Sequence, residues 1–167
     1  MNEILLDRGQ IERVIPHRDP FLLLDSVVSY APGASLEATK LFTGAEPWAR
    51  GHFPGLPIFP GVLLTEALAQ SCAVFCGLQG LAWAPGRELA NAGSDEIGVL
   101  GMTRVTFRRP TFPGALLRLQ VEQVRRAENK VFFDVRAQCE GERRAEGSMV
   151  VAMITKRELV SSLGVAE

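Results

Sequence analysis

The chain carries no excess of either charge: 18 Lys and Arg stand against 19 Asp and Glu, for a net charge of -1 over 167 residues. That balance argues against general nucleic-acid binding, which needs a basic surface. No apolar run reaches about 18 residues without a charge, so no membrane span is expected. The start, Met1-Asn-Glu-Ile-Leu-Leu-Asp7, lacks the basic stretch and apolar core of a signal peptide. Cysteine is sparse, at three residues. An odd number without an export signal points to free thiols in a reducing compartment, with cytoplasm as the default. No linker, repeat or low-complexity tract divides the chain, and residues 1–167 read as a single domain.

What is present reads as a short helix, a long apolar one and a set of strands. Asp7 to Ile15 fits a short amphipathic helix stopped by Pro16, with Ile11, Val14 and Ile15 facing inward. Phe21 to Tyr30 reads as a strand, and Ala34 to Phe42 as a second, half-exposed one. Trp83 to Gly98, rich in turn residues, reads as a loop or flexible flap. Strands are expected over 99–108, 115–126, 130–140 and 143–155. The polar residues alternate in Leu117-Arg-Leu-Gln-Val-Glu-Gln-Val124 and in Val131-Phe-Phe-Asp-Val-Arg-Ala-Gln138, so one sheet face is wet and the other packs on something apolar. Hairpin-length connections make the strands antiparallel. The economical architecture is α+β, a long curved antiparallel sheet wrapped around one buried helix.

That helix belongs to the stretch around which the chain is organised, Gly51-His-Phe-Pro-Gly-Leu-Pro-Ile-Phe-Pro-Gly-Val-Leu-Leu-Thr-Glu-Ala-Leu-Ala-Gln70. A stiff Pro/Gly loop leads to Pro60, suited to the first helical position, and then to an almost wholly apolar segment from Val62 to Cys76. Within it stand one imidazole, His52, and one carboxylate, Glu66. An ionised group buried without compensation costs several kcal/mol, so Glu66 needs a partner or a task. Gln70 lies one turn on, and Ala73 and Gly77 continue the same face with small side chains, which leaves room for an extended apolar ligand. Glu66 is open between holding a stray donor or a core arginine and acting on such a ligand. His52 is open between a turn histidine and an acid–base group beside a helix N-terminus whose free N–H groups can polarise a carbonyl.

The segments Pro16-His-Arg-Asp-Pro-Phe-Leu-Leu-Leu-Asp25, Gly51-His-Phe-Pro-Gly55, Pro57-Ile-Phe-Pro-Gly-Val-Leu63 and Glu66-Ala-Leu-Ala-Gln70 resemble, in the same order, the (3R)-hydroxyacyl-[acyl carrier protein] dehydratases of type II fatty-acid synthesis, the FabZ type. The resemblance implies the hot-dog fold and a homodimer with two sites at its interface, with a trimer of dimers as a larger assembly. It implies dehydration of a 3-hydroxyacyl thioester on acyl carrier protein to the trans-2-enoyl product, with no metal or organic cofactor. By position, His52 matches the catalytic base and Glu66 the catalytic carboxylate, given by the partner subunit. Gly61 matches the backbone N–H that polarises the thioester carbonyl. Gln70, Phe53 and Ala73 are the further substrate-binding candidates. His17, in the Pro-His-Arg turn, reads as structural.

The chain departs from the family pattern at Gly101-Met-Thr103 in place of Gly-Ile-Asp, at Phe112-Pro-Gly-Ala115 in place of Val-Pro-Gly-Asp, and in a longer segment between Gly77 and Gly101. These leave a specialised role in polyketide or aryl-polyene synthesis open. Arg104, Arg108 and Arg109 are either a solvated strand end or a docking patch for an acidic carrier. Cys72 and Cys76, one turn apart without further ligands, read as core residues rather than a metal site. Two rivals share the expected fold: a thioesterase, and a non-catalytic acyl-binding subunit.

Overall fold

The computed structural model describes residues 3–89 and 95–162. In chain order the elements are β1 (Leu6–Asp7), α1 (Arg8–Val14), β2 (Ser26–Ala31), β3 (Ser35–Leu41), a 3₁₀ turn (Ala49–Gly51), α2 (Gly61–Gly80), β4 (Glu96–Phe107), β5 (Leu116–Ala127), β6 (Lys130–Cys139), β7 (Glu142–Thr155) and α3 (Lys156–Ser162). The strands form one seven-stranded sheet in the order β1-β2-β3-β5-β6-β7-β4, antiparallel at every pairing. It curls around α2 in the hot-dog arrangement.

Alternation drives the curl. Leu117, Leu119 and Val121 of β5 and Val131, Phe133, Val135 and Ala137 of β6 all point inward and are buried, while Arg118, Gln120 and Glu122 stay on the outer face. Against them α2 buries thirteen of its residues, from Leu64 to Leu78. Phe75 meets Phe133 edge-on at 5.3 Å and Tyr30 at 5.8 Å. Each fully buried large side chain contributes about 1.5–3 kcal/mol of transfer free energy, which is why the helix sits at the centre. By length and composition α2 would also suit a membrane, but the sheet already covers most of its surface.

Several expectations shift. Pro60 is the N-cap rather than the first helical residue, and α2 continues to Gly80 instead of ending near Gly77. Residues 21–25 are irregular rather than a strand, because their backbone groups are directed at the helix: Leu23 N donates to Gln70 Oε1 at 2.9 Å, and Phe21 O accepts from Gln70 Nε2 at 2.8 Å. The described part of the expected flap is packed, not free. Trp83 is buried against Tyr30 and donates through Nε1 to Arg87 O at 2.8 Å, and Leu89 is buried as well. Strand β4 begins at Glu96, earlier than expected, and residues 90–94 lie outside the described residues. Helix α1 keeps its expected inward face of Ile11, Val14 and Ile15 and is opened by a reciprocal Asp7–Gln10 capping box.

The close approach of β4 to β7 depends on Gly147. A Cβ built there would overlap the Arg104 carbonyl oxygen, a backbone atom that cannot swing aside. Gly147→Ala is expected to destabilise the fold by at least about 1–3 kcal/mol. Thermal unfolding should register this as a loss of roughly 2–4 °C per kcal/mol. An unchanged midpoint would show that the two strands can separate without cost.

Candidate active site

His52 is fixed from both sides by its loop. Its N–H donates to Ala49 O at 3.2 Å, and its carbonyl accepts from Ile58 N at 3.0 Å. The ring follows: Nδ1 lies 3.3 Å from Ile58 O. A carbonyl only accepts, so this contact puts the ring proton on Nδ1 and leaves Nε2 as the basic nitrogen. Below the loop, Phe42, Trp48 and Phe59 pack ring on ring at 5.0–5.4 Å and anchor its two ends. Phe53 stacks on the His52 ring at 4.4 Å and is otherwise half exposed.

His52 opens onto a cavity of about 380 Å³ that also takes in Gly61, Leu64, Phe107, Arg108 and Arg109. The first turn of α2 has no side-chain cap. Its leading N–H groups therefore stay available to an acceptor, with the positive end of the helix dipole behind them. Gly61 itself lies against the Phe107 ring, which a Cβ would meet at 3.0 Å.

Glu66 sits elsewhere. With His17, Ala69, Gln70, Ala73, Gly98 and Leu100 it lines a second, smaller cavity of about 90 Å³. Gln70, 1 % exposed, spends its amide on the 21–23 backbone and donates from Nε2 to Glu66 Oε1 at 2.9 Å. The sequence offered a core arginine as the partner of Glu66; the amide holds it instead. His17 Nε2 approaches the same oxygen at 3.5 Å. Of the two small residues expected to leave room, only Ala73 does so. Gly77 receives Val14, whose Cγ1 would stand 2.6 Å from a Cβ at that position.

Within one chain, then, His52 and Gly61 share one cavity, while Glu66, Gln70 and Ala73 share another. Strand β4 borders both, with Phe107 at the first and Leu100 at the second. It is an edge strand of the sheet and exposes Val99, Leu100, Met102 and Phe107. Of the three arginines, Arg108 and Arg109 flank the His52 cavity, where they meet Glu146 at 2.9 Å and Glu142 at 3.9 Å. Arg104 stands farther along the outer face with Arg136 and Glu146. The residue that sequence reasoning set aside is His17. No spacing rule links position 17 to position 66, and only the fold joins them.

Among the described residues, no group of three His, Cys, Asp or Glu side chains is arranged to hold a metal ion. Cys72 and Cys76 are buried free thiols. Burial raises both, Cys76 to about 12, despite the opposing charge of Arg126.

A FabA-like domain model matches residues 15–148. The chain is 38 % identical over 151 residues to a 3-hydroxyacyl-[acyl-carrier-protein] dehydratase FabZ of Myxococcus xanthus, covering 90 % of this chain and 94 % of that one. It is 43 % identical over 137 residues to the protein of the same name from Cereibacter sphaeroides, covering 81 % and 83 %. Among solved structures, the dehydratase heterocomplex ApeI:P from Xenorhabdus doucetiae superposes with a TM-score of 0.73 at 20 % identity, over 93 % of this chain and 97 % of that one. The fluoroacetyl-CoA thioesterase FlK superposes at 0.59 and 14 % identity, over 81 % and 96 %. The shared fold thus spans dehydratases and thioesterases alike, and the sequence relatives carry the distinction.

The buried thiols give a direct check on the core assignment of Cys72 and Cys76. Because the thiolate is the reactive form, the folded protein at pH 8 should resist thiol-directed reagents and become reactive only on unfolding. Rapid labelling of either residue under native conditions would contradict their burial.

Proposed function

This chain belongs to the FabA-like family, among the 3-hydroxyacyl-[acyl-carrier-protein] dehydratases, and from that premise we propose that His52 and Glu66 carry out the elimination of water from a (3R)-hydroxyacyl thioester. The observation that carries the assignment is the pairing, in one cavity, of a histidine whose Nε2 is left basic with an uncapped helix N-terminus. The N–H of Gly61, at the N-terminus of α2, donates to the thioester carbonyl oxygen and stabilises the charge that develops on it. That polarisation acidifies C2, and His52 Nε2 removes the proton there. Glu66 protonates the departing 3-hydroxyl, directly or through a water held with Gln70, and the trans-2-enoyl thioester and water are released. Phe53 and Ala73 line the path of the acyl group. No metal or organic cofactor takes part.

Because His52 and Glu66 open onto different cavities of one chain, the working site is composite. Two copies pair along β4 as a homodimer. An antiparallel β4–β4 pairing brings the Phe107 end of one strand toward the Leu100 end of the other, and with it the His52 cavity toward the partner's Glu66 cavity. The exposed apolar side chains of β4 and Val62, at 77 % exposure, supply the surface for that contact. The homodimer could assemble further into a trimer of dimers. Arg108 and Arg109, at the mouth of the His52 cavity, with Arg104 beyond them, form the docking face for acyl carrier protein. The reaction belongs to fatty-acid synthesis, or to a related polyketide pathway, and takes place in the cytoplasm.

The decisive assay follows enoyl formation and free thiol together from a 3-hydroxyacyl carrier-protein thioester. His52→Ala and Glu66→Ala should each lose about 10²–10⁴-fold in kcat with folding intact. Thiol release without enoyl product would instead establish a thioesterase, and turnover of neither kind would leave an acyl-binding subunit. For the docking face, Arg109→Glu is expected to lower kcat/KM about tenfold at low salt for the carrier-bound substrate, with little change for the same acyl group on a short pantetheine thioester. Equal losses on both substrates would place Arg109 in the chemistry rather than in docking.

A further inference from the structure

The turn that carries His17 is closed without its ring. Arg18 Nη1 donates to Ile15 O at 2.9 Å and to His17 O at 2.7 Å, and Phe21 N and Leu22 N both donate to Arg18 O at 2.8 Å. The imidazole meets instead Glu66 Oε1, 3.5 Å from Nε2, and its Nδ1 is buried without a partner. It is braced flat against Phe21, with ring centroids 6.2 Å apart. Phe21 O in turn holds Gln70, the other group on Glu66 Oε1. One turn therefore faces the carboxylate twice, directly through the His17 ring and indirectly through its hydrogen bond to Gln70.

Resting on the dehydratase reading above, we propose that His17 is a positioning residue: with Gln70 it clamps Glu66 Oε1 and so leaves Oε2 as the oxygen that meets the substrate 3-hydroxyl. Two donors on Oε1 make Oε2 the favoured place for a proton, and that is the oxygen from which a proton can pass to the leaving group. The contact is long for a hydrogen bond in the free protein, as such contacts often are before substrate tightens them.

The orphaned Nδ1 explains why a histidine suits this place better than a lysine or arginine. A doubly protonated ring would bury an N–H without an acceptor, which is costlier than burying a bare lone pair. Burial holds the ring below the usual imidazole range, against the pull of Glu66 and with the help of Arg18. The neutral ring can thus donate through Nε2 without placing a full positive charge beside Glu66, a charge that would weaken its grip on a proton. The remaining cavity wall, Ala69, Ala73, Gly98, Leu100 and Val151, brings no other titratable group.

The test compares kcat and KM for enoyl formation from a 3-hydroxyacyl carrier-protein thioester in wild type, His17→Leu, His17→Asn and His17→Gln, and His17→Leu in a Glu66→Gln background. Displacing a reacting group by about 1 Å costs up to about 10²-fold. His17→Leu and His17→Asn, neither of which reaches Glu66, should lose about 10–10²-fold in kcat with KM held. His17→Gln, whose amide nitrogen can take the place of Nε2, should recover most of the loss. In the Glu66→Gln background His17→Leu should have no further effect, because both changes act through one group. Wild-type kcat in His17→Asn, equal losses in the Asn and Gln variants, or a fully additive loss in the double variant would each overturn the assignment. If His17→Leu fails to fold, the Asn and Gln variants, alone and in the Glu66→Gln background, decide the matter. Absence of enoyl product from wild type would overturn the dehydratase reading together with this one, whereas wild-type turnover with unmoved His17 variants would overturn this one alone.

Discussion

The constraint on which everything else rests is the burial of α2. A helix apolar around nearly its whole circumference has no face to give to water, so a single flat layer cannot satisfy it. The sheet must curl. The alternating strands β5 and β6 supply a continuous apolar lining, from Leu117 to Val121 and from Val131 to Cys139, while their charged residues stay outside. The close approach at Gly147 shows how tightly the last strand is drawn in.

The same constraint makes each polar group on α2 accountable. Gln70 is almost fully buried, and both its N–H donors are spent, on Phe21 O and on Glu66, while its oxygen accepts from Leu23 N. The segment stays irregular because pairing it as a strand would take its N–H and C=O groups away from the amide. A satisfied network of this kind is rigid, since breaking one member strands another in a low-dielectric interior. Rigidity at the site is thus a consequence of burial. His52 reaches a comparable fixity by another route, through backbone hydrogen bonds inside a Pro/Gly loop whose ends are held by stacked aromatic rings.

Much of this was legible in the residues. Composition marked the central helix, alternation marked the paired strands and their faces, and the Pro/Gly loop with His52 and Glu66 marked where chemistry is to be sought. Loop boundaries were less legible. Nothing local distinguishes Phe21 to Asp25 from a strand, because the partner that claims its backbone lies 47 residues away at Gln70. Trp83 and Leu89 sit among turn residues that suggest a flap, yet their apolar side chains find room against Tyr30 and the core.

The period-two and all-round apolar patterns, and the few polar residues that interrupt them, are properties of the residue order alone, because side-chain direction follows directly from backbone repeat. That His52 and Glu66 of one chain open onto different cavities, that Gly77 is filled by Val14, and that His17 stands beside Glu66 emerge only when the whole chain packs. These are contacts between residues far apart in the chain, fixed by how the sheet closes over the helix, and no local pattern encodes the distance across that closure.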